Sequence, residues 1–421
     1  MRKGLLLGAG FSFDFGMPLV SELTEDFLGI FNKRNASQLA DIMAKNDPFG
    51  DGRPINRKAI HDGMDLLLKF KAEGKENYEE FLSQLQDLGD ASGSTQSDRD
   101  SYHYLFSVFY DLVHLILMRY QLFSYEEMYG QNVENFSQLE NLLNSEGETW
   151  VFTLNHDLYF ECLAIDLGIP ISYGDSGEMA FPHTNVAPSN FVRLTCCSRE
   201  GFTVQNPGWI KNGKGVNLVR LHGGLCELEY QDRMRICNPR LEHLSSAALI
   251  AEIEKIESMG YYVNGKRVPS GRDRVVTGPD GTLDIIRRSM LTGGRKYSKT
   301  ANPKKGEEKL ALFTEVLSAM DELTVIGYGF GDKHINYRVS NAMVKNDQMK
   351  INVVSPKGPH CPELLEQFDY GDRIHRVVCG APDWMSYVKD QQWDLTQGER
   401  LQANKSFRTN VRRQVLAGLS R

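Results

Sequence analysis

Residues 4–18, "GLLLGAGFSFDFGMP", decide the fold. Leu5, Leu6 and Leu7 form an unbroken apolar run, as a strand does when both faces of a parallel sheet are covered. Gly8 and Gly10 follow at once, and "SELTEDFLGIF" then takes helical spacing, with Ser21 as a candidate cap and acids in its first turn. Strand, glycine turn and helix make the first unit of an open α/β sheet. Ligands of such sheets sit beyond the carboxyl ends of the strands.

The same order returns along the chain. "TWVFTLN" (149–155) precedes the helical "DLYFECLAIDLG", and "GVNLVRLHGGL" (215–225) is a second apolar run ending in glycines. "ELTVIGYGFGD" (322–332), "KINVVSPK" (350–357) and "HRVVCG" (375–380) complete the set. Strands alternating with helices predict an α/β protein, a Rossmann-like parallel sheet with helices on both faces. Residues 55–148 read as helical throughout and form a helical insertion. The resulting division is 1–54 as the opening of the Rossmann-like domain, 55–148 as the helical insertion and 149–229 as its continuation. A smaller insertion of helix and loops follows at 230–310, the sheet ends within 311–390, and 391–421 is a basic C-terminal helix.

Composition narrows the function class. A hydrophobic fraction of 41% with 24% charged residues suits an ordinary soluble globular chain, and 421 residues suffice for two domains or one large one with insertions. The net charge of −7 gives no overall case for nucleic acid, so no direct nucleic-acid binding is expected. The basic stretch with Arg295, Lys296, Lys299, Lys304 and Lys305 reads as a solvated loop, and the basic tail as a docking helix. The most apolar helix, "SYHYLFSVFYDLVHLILMRYQLF", is broken by Asp111, His114 and Arg119, which argues against a membrane span. Met1-Arg2-Lys3 runs straight into a strand without a cleavage site, so no signal peptide is expected and the cytoplasm is the expected location. Seven cysteines with no pair of CxxC elements suggest reduced thiols and no four-thiolate zinc site.

Four strand ends carry the candidate chemistry. Gly8-Ala9-Gly10-Phe11-Ser12, with Gly16-Met17-Pro18 behind, either lets a phosphate approach the backbone at a helix N-terminus or serves only as a tight turn. Thr153, Asn155 and Asp157 end the second strand; either polar residue caps a helix well, but one cap does not explain both. His222 follows an apolar strand and precedes two glycines, which favours a ring facing a cleft and suited to acid–base work. Gly327, Tyr328, Gly329 and Asp332 make a further turn, where His334 and Asn336 are best read as fixing the loop.

Taken together and in this order, GAGFS…GMP, Thr-x-Asn-x-Asp, the Leu-His-Gly histidine and GYGFGDxHIN resemble the sirtuin-like NAD-binding superfamily. Within it the chain looks like the bacterial antiphage-defence branch rather than the protein deacylases. Met17-Pro18 runs into Leu19-Val20 where deacylases carry Asp-Phe-Arg, and the zinc module of two CxxC pairs is missing. Gly329 stands where a Ser is usual, and Ser355 where an Asn often holds the ribose.

The resemblance implies NAD+ as substrate and cleavage of its nicotinamide–ribose bond, giving nicotinamide and ADP-ribose. It implies Asn155 to position water or the ribose hydroxyl, His222 as base and Asp157 to hold the carboxamide. Gly8–Ser12, Gly16, Met17, Pro18 and Thr153 would line the cofactor, with Gly327, Tyr328, Gly329, Asp332 and Ser355 on the adenosine side. No zinc is expected. An activity this toxic needs gating, which points to a homo-oligomer or a separate partner such as a hexameric ATPase of the HerA type. A nucleotide sensor without turnover, a deacylase or ADP-ribosyltransferase, and a scaffold subunit are the rival readings.

Overall fold

The computed structural model describes residues 2–46, 52–144, 146–231, 234–241, 245–290, 307–358, 361–393 and 397–419. The basic loop at 295–305 lies outside them. The chain divides into two compact units: Met1–Met17, Gln121–Met290 and Lys299–Val411 form one, and Pro18–Tyr120, Leu291–Ser298 and Arg412–Arg421 the other.

The first unit holds fifteen strands among the described residues. In chain order they begin with β1 (Lys3–Leu7), β2 (Thr149–Thr153), β3 (Ile171–Ser172), β4 (Gly177–Thr184) and β5 (Ala187–Ser198). Then come β6 (Val216–Arg220), β7 (Leu228–Tyr230), β8 (Arg235–Pro239), β9 (Tyr262–Val263) and β10 (Lys266–Arg267). The last are β11 (Asp273–Thr277), β12 (Leu283–Arg288), β13 (Glu322–Ile326), β14 (Lys350–Val354) and β15 (Ile374–Val377).

Seven of them make one sheet in the order β15-β14-β13-β1-β2-β6-β3. Every pairing in it is parallel. This is the Rossmann-like sheet that the apolar runs predict, flanked by helices. β2 and β6 are buried along their whole length, as strands covered on both faces must be. Phe152 of β2 meets Phe313 of the helix Glu307–Ser318 edge-to-face at 4.7 Å, sealing one side of the sheet. The chain builds outward from β1 toward β2 and β6, then crosses back to β13. That reversal places the topological switch point of the sheet at the carboxyl ends of β1 and β13.

Six strands form a second sheet, antiparallel, in the order β11-β12-β7-β8-β5-β4. β11 also lies against β4, so the sheet curls toward a closed barrel. Phe181, Val192, Leu194, Leu228, Val276 and Ile286 fill its interior. The reading of 230–310 as helix and loops is therefore corrected. The helix Ser246–Ser258 is present, but β8, β11 and β12 flank it and belong to a sheet that starts at residue 177. These strands hide because they are short and their apolar residues do not all point inward: in "LDIIRR" Ile286 is buried while Leu283 and Ile285 are exposed.

The second unit is helical: Val20–Gly29, Lys33–Met43, Arg57–Ala72 and Tyr78–Asp90, with the first part of Gln96–Ser124. Phe27, Phe31, Phe81 and Phe109 form its aromatic core, with ring centroids 5.3–5.8 Å apart for the closest pairs. Asp26 is buried beneath Tyr120 and Arg412, and burial raises its carboxyl above the usual range.

Candidate functional site

The parallel ladder carries each central strand one residue past its formal end. Gly8 N–H donates to Ile326, Leu154 N–H to Leu7 and Leu221 N–H to Thr153. The turns after β1, β2, β6 and β13 therefore emerge at one edge of the sheet, and the candidate residues stand on them.

Asn155 is 8% exposed, and both its amide hydrogens are engaged. Its Nδ2 donates to Gly8 O at 3.0 Å and to Ser12 Oγ at 3.1 Å. Because a carbonyl oxygen only accepts, the amide orientation is determined and Oδ1 is left as an acceptor. The Ser12 hydroxyl in turn donates to Asp157 Oδ1 at 2.8 Å. That same carboxylate oxygen accepts Tyr159 N–H at 3.1 Å, fixing the start of the helix Tyr159–Asp166. The turns after β1 and β2 are thus tied into a single chain of bonds. Burial raises the Asp157 carboxyl above its ordinary range, and the bonds from Tyr159 and Ser12 pull the other way.

Arg220 braces this turn from below. Its guanidinium is 1% exposed, donates to Asp157 O at 2.8 Å and Asn155 O at 3.2 Å, and pairs with Glu161. Lys309 Nζ, also buried, reaches Arg220 O at 2.8 Å and Glu227 at 2.5 Å. Ser289 adds its hydroxyl to Glu227. Sequence reasoning missed Glu227, Ser289 and Lys309, because pairings across about eighty residues leave no local pattern. Burial pushes the Cys226 thiol up to about 12, so it stays protonated near neutral pH.

His222 lies at the end of β6, with Nε2 3.0 Å from Asp332 Oδ2. Asp332 Oδ1 caps the helix Lys333–Lys345 through His334 N–H and Ile335 N–H. Asn336 holds the same turn by donating to Phe330 O at 2.7 Å, whereas His334 is exposed.

The glycines divide into two groups. A Cβ on Gly10 would stand 2.7 Å from Gly327 Cα, and one on Gly8 2.6 Å from Tyr328 Cα. Gly327 has φ +65°, and its own Cβ would meet Gly10 C at 2.4 Å. These three let the turns after β1 and β13 touch backbone to backbone. At Gly329 and Gly331 an added Cβ would meet nothing within 4 Å.

The remaining candidates are more enclosed. Phe11 packs against Phe136 and Phe160, Met17 is buried, and Thr153 Oγ1 accepts Asn155 N–H at 3.0 Å. Gly16 has φ +99° and abuts Met128 and Ser124, and Ala9 is half-buried. Ser355 begins the turn after β14, and Pro18 belongs to the second unit. Among the described residues, no group of three His, Cys, Asp or Glu side chains is placed to hold a metal ion. No described helix is long and apolar enough to cross a membrane.

No family model matches the chain. The curated protein Ribonuclease TUDOR 2 of Arabidopsis thaliana is 28% identical over 178 residues, 39% of this chain. The chain spans only 17% of that protein's length. A solved structure described as "Structural Basis for the Mechanism and Regulation of Sir2 Enzymes" is similar at 11% identity and a TM-score of 0.32. That likeness covers 96% of this chain and 93% of the other. Neither likeness assigns an activity, and the fold stands on the sheet topology itself.

Proposed function

We propose that the chain is an NAD+ glycohydrolase acting at the carboxyl edge of the parallel sheet. The observation that carries this reading is the bonded chain Asn155–Ser12–Asp157, which leaves Asn155 Oδ1 as an acceptor on the turn at the carboxyl end of β2. The resemblance of the four strand-end motifs supports the choice of NAD+.

In the proposed reaction the bond between the ribose anomeric carbon and the nicotinamide nitrogen breaks, and its electron pair leaves with nicotinamide. The pyridinium is already a good leaving group, so no strong acid is needed. Water adds to the oxocarbenium-like carbon, as in other glycoside hydrolyses. Asn155 Oδ1 accepts from that water or from a ribose hydroxyl. His222 takes the proton, a contribution of about 10²–10⁴ in rate. Asp157 holds the carboxamide, and the open backbone at Gly329 and Gly331 meets the far half of the dinucleotide. The biological setting is a gated effector in antiphage defence, regulated by oligomerisation or by a separate partner such as a HerA-type ATPase.

Release of nicotinamide and ADP-ribose from NAD+ tests the proposal on the full chain. Wild type is expected to consume NAD+, and Asn155→Ala and His222→Ala to lose nearly all turnover while unfolding at a similar temperature. Either variant retaining full activity overturns the assignment of its residue. Thermal stabilisation by NAD+ without turnover would replace the enzyme with a nucleotide sensor.

A further inference from the structure

We propose that Cys196 and Cys237 are a modification site: exposed to hydrogen peroxide, they join as a cross-strand disulfide that staples β5 to β8. The step is independent of the hydrolase reading.

Strand register brings the two thiols together. β5 and β8 are antiparallel neighbours, and Cys196 pairs directly with Cys237 across them. Directly opposed side chains leave a sheet on the same face, with Cβ atoms about 4.5–5.5 Å apart. A cystine holds its Cβ atoms about 3.5–4.5 Å apart, so these ranges meet and closure asks only a small adjustment. The sulfurs already stand 2.7 Å from one another, Cys196 Sγ donating to Cys237 Sγ. Both residues are fully buried, inside the curled sheet with Leu194, Leu228 and Ile286.

The period-two alternation of a strand sets Cys197 apart. It leaves β5 on the opposite face, where Asn206 Nδ2 donates to its Sγ at 3.5 Å. The neighbouring thiol is therefore no rival for Cys237.

One molecule of peroxide balances the reaction. A thiolate of the pair attacks the O–O bond, becoming a sulfenic acid and releasing hydroxide, which takes up the thiol proton as water. The second sulfur then attacks the sulfenic sulfur, the S–S bond forms, and the hydroxyl leaves with the second thiol proton as another water. Two thiols have lost two electrons, and the peroxide has gained them. The hydrogen bond with Cys196 and burial hold the Cys237 thiol well above its ordinary range, so thiolate is scarce while the sheet stays closed. Oxidation thus follows local opening of the sheet, and reclosure buries the product. The two cysteines lie 41 positions apart, and β6 and His222 fall between them. The staple therefore closes a loop around the segment that carries the candidate base.

The test is a disulfide map of the full-length chain. Reduced protein is treated with hydrogen peroxide, alkylated in denaturant and digested. The expected product joins the Cys196 and Cys237 peptides, two hydrogens lighter than the separate thiols, and dithiothreitol releases it. Cys197→Ala is expected to give the same link, and Cys237→Ala to lose it. Recovery of both residues as alkylated thiols overturns the proposal. So does oxidation of either to a sulfinic or sulfonic acid in place of the link, or a link from either to a different cysteine. The wild-type map decides these outcomes, so the proposal stands or falls even where a variant fails to fold.

Discussion

Asn155 has a settled amide orientation because Gly8 offers it a carbonyl oxygen, and that fact governs what substitution should do. Ser12→Ala removes the hydroxyl that accepts from Asn155 and donates to Asp157. It leaves a buried carboxylate oxygen short of one donor, which costs about 1–3 kcal/mol. Urea unfolding should show that loss, and turnover should fall with it, because Asn155 regains rotational freedom. Unchanged stability would mean that Asp157 does not depend on Ser12. Gly10 and Gly329 provide a paired test in the two glycine turns. Gly10→Ala forces backbone apart at a 2.7 Å contact with Gly327 and should destabilise by about 1–3 kcal/mol. Gly329→Ala, with nothing within 4 Å, should change stability by less than about 0.5 kcal/mol. Equal effects would contradict the packing reading of Gly10.

At the scale of elements, the central strands were legible because their apolar runs are continuous: "LLL", "WVF" and "LTVI" have one physical reading in a chain that alternates strands with helices. The curled antiparallel sheet was harder, since its strands are short and bury one face only. Its clearest sign was "VVTGPDGTLDII", two apolar stretches around a Gly-Pro-Asp-Gly turn, which becomes the β11–β12 hairpin. Among the candidate site residues, Asn155, Asp157 and His222 were visible as polar groups at strand ends. The pairing of His222 with Asp332 was not, because 110 residues separate them.

The link from β3 to β4 offers a pH test. Burial pushes the Asp175 carboxyl up to about 6 from 3.8, against the pull of Thr195 and the Tyr173 backbone. A carboxyl raised on folding favours the folded state fully below its unfolded pKa, and that advantage is lost as pH rises through about 6. At pH 8 the buried charge therefore opposes folding by about 2–3 kcal/mol, and at pH 4 by far less. Asp175→Asn should stabilise the protein at pH 8 and do little near pH 4, as read by thermal melting across that range. A uniform effect at both pH values would show that charge burial is not the cause.

At the scale of the molecule, the first unit must join a parallel sheet to an antiparallel one within a single chain. β6 belongs to the former and β7 to the latter, and His222 lies in the short connection between them. That connection is held from beneath by buried charge rather than by apolar packing alone. Lys309, at the start of the helix Glu307–Ser318, reaches both Arg220 O at the end of β6 and Glu227 beside β7. Arg199 bridges Glu229 of β7 and Glu308 of the same helix in the same manner. Buried pairs of this kind contribute little net stability when intact but are expensive to break on one side only. Lys309→Met should accordingly destabilise by about 3–5 kcal/mol, because Glu227 keeps a buried charge with only Ser289 to answer it. Adding Glu227→Gln removes that charge and should restore much of the loss, so the double variant is more stable than Lys309→Met alone. If the two losses simply add, Lys309 and Glu227 do not act as a pair, and the connection carrying His222 must be held by its hydrophobic neighbours instead.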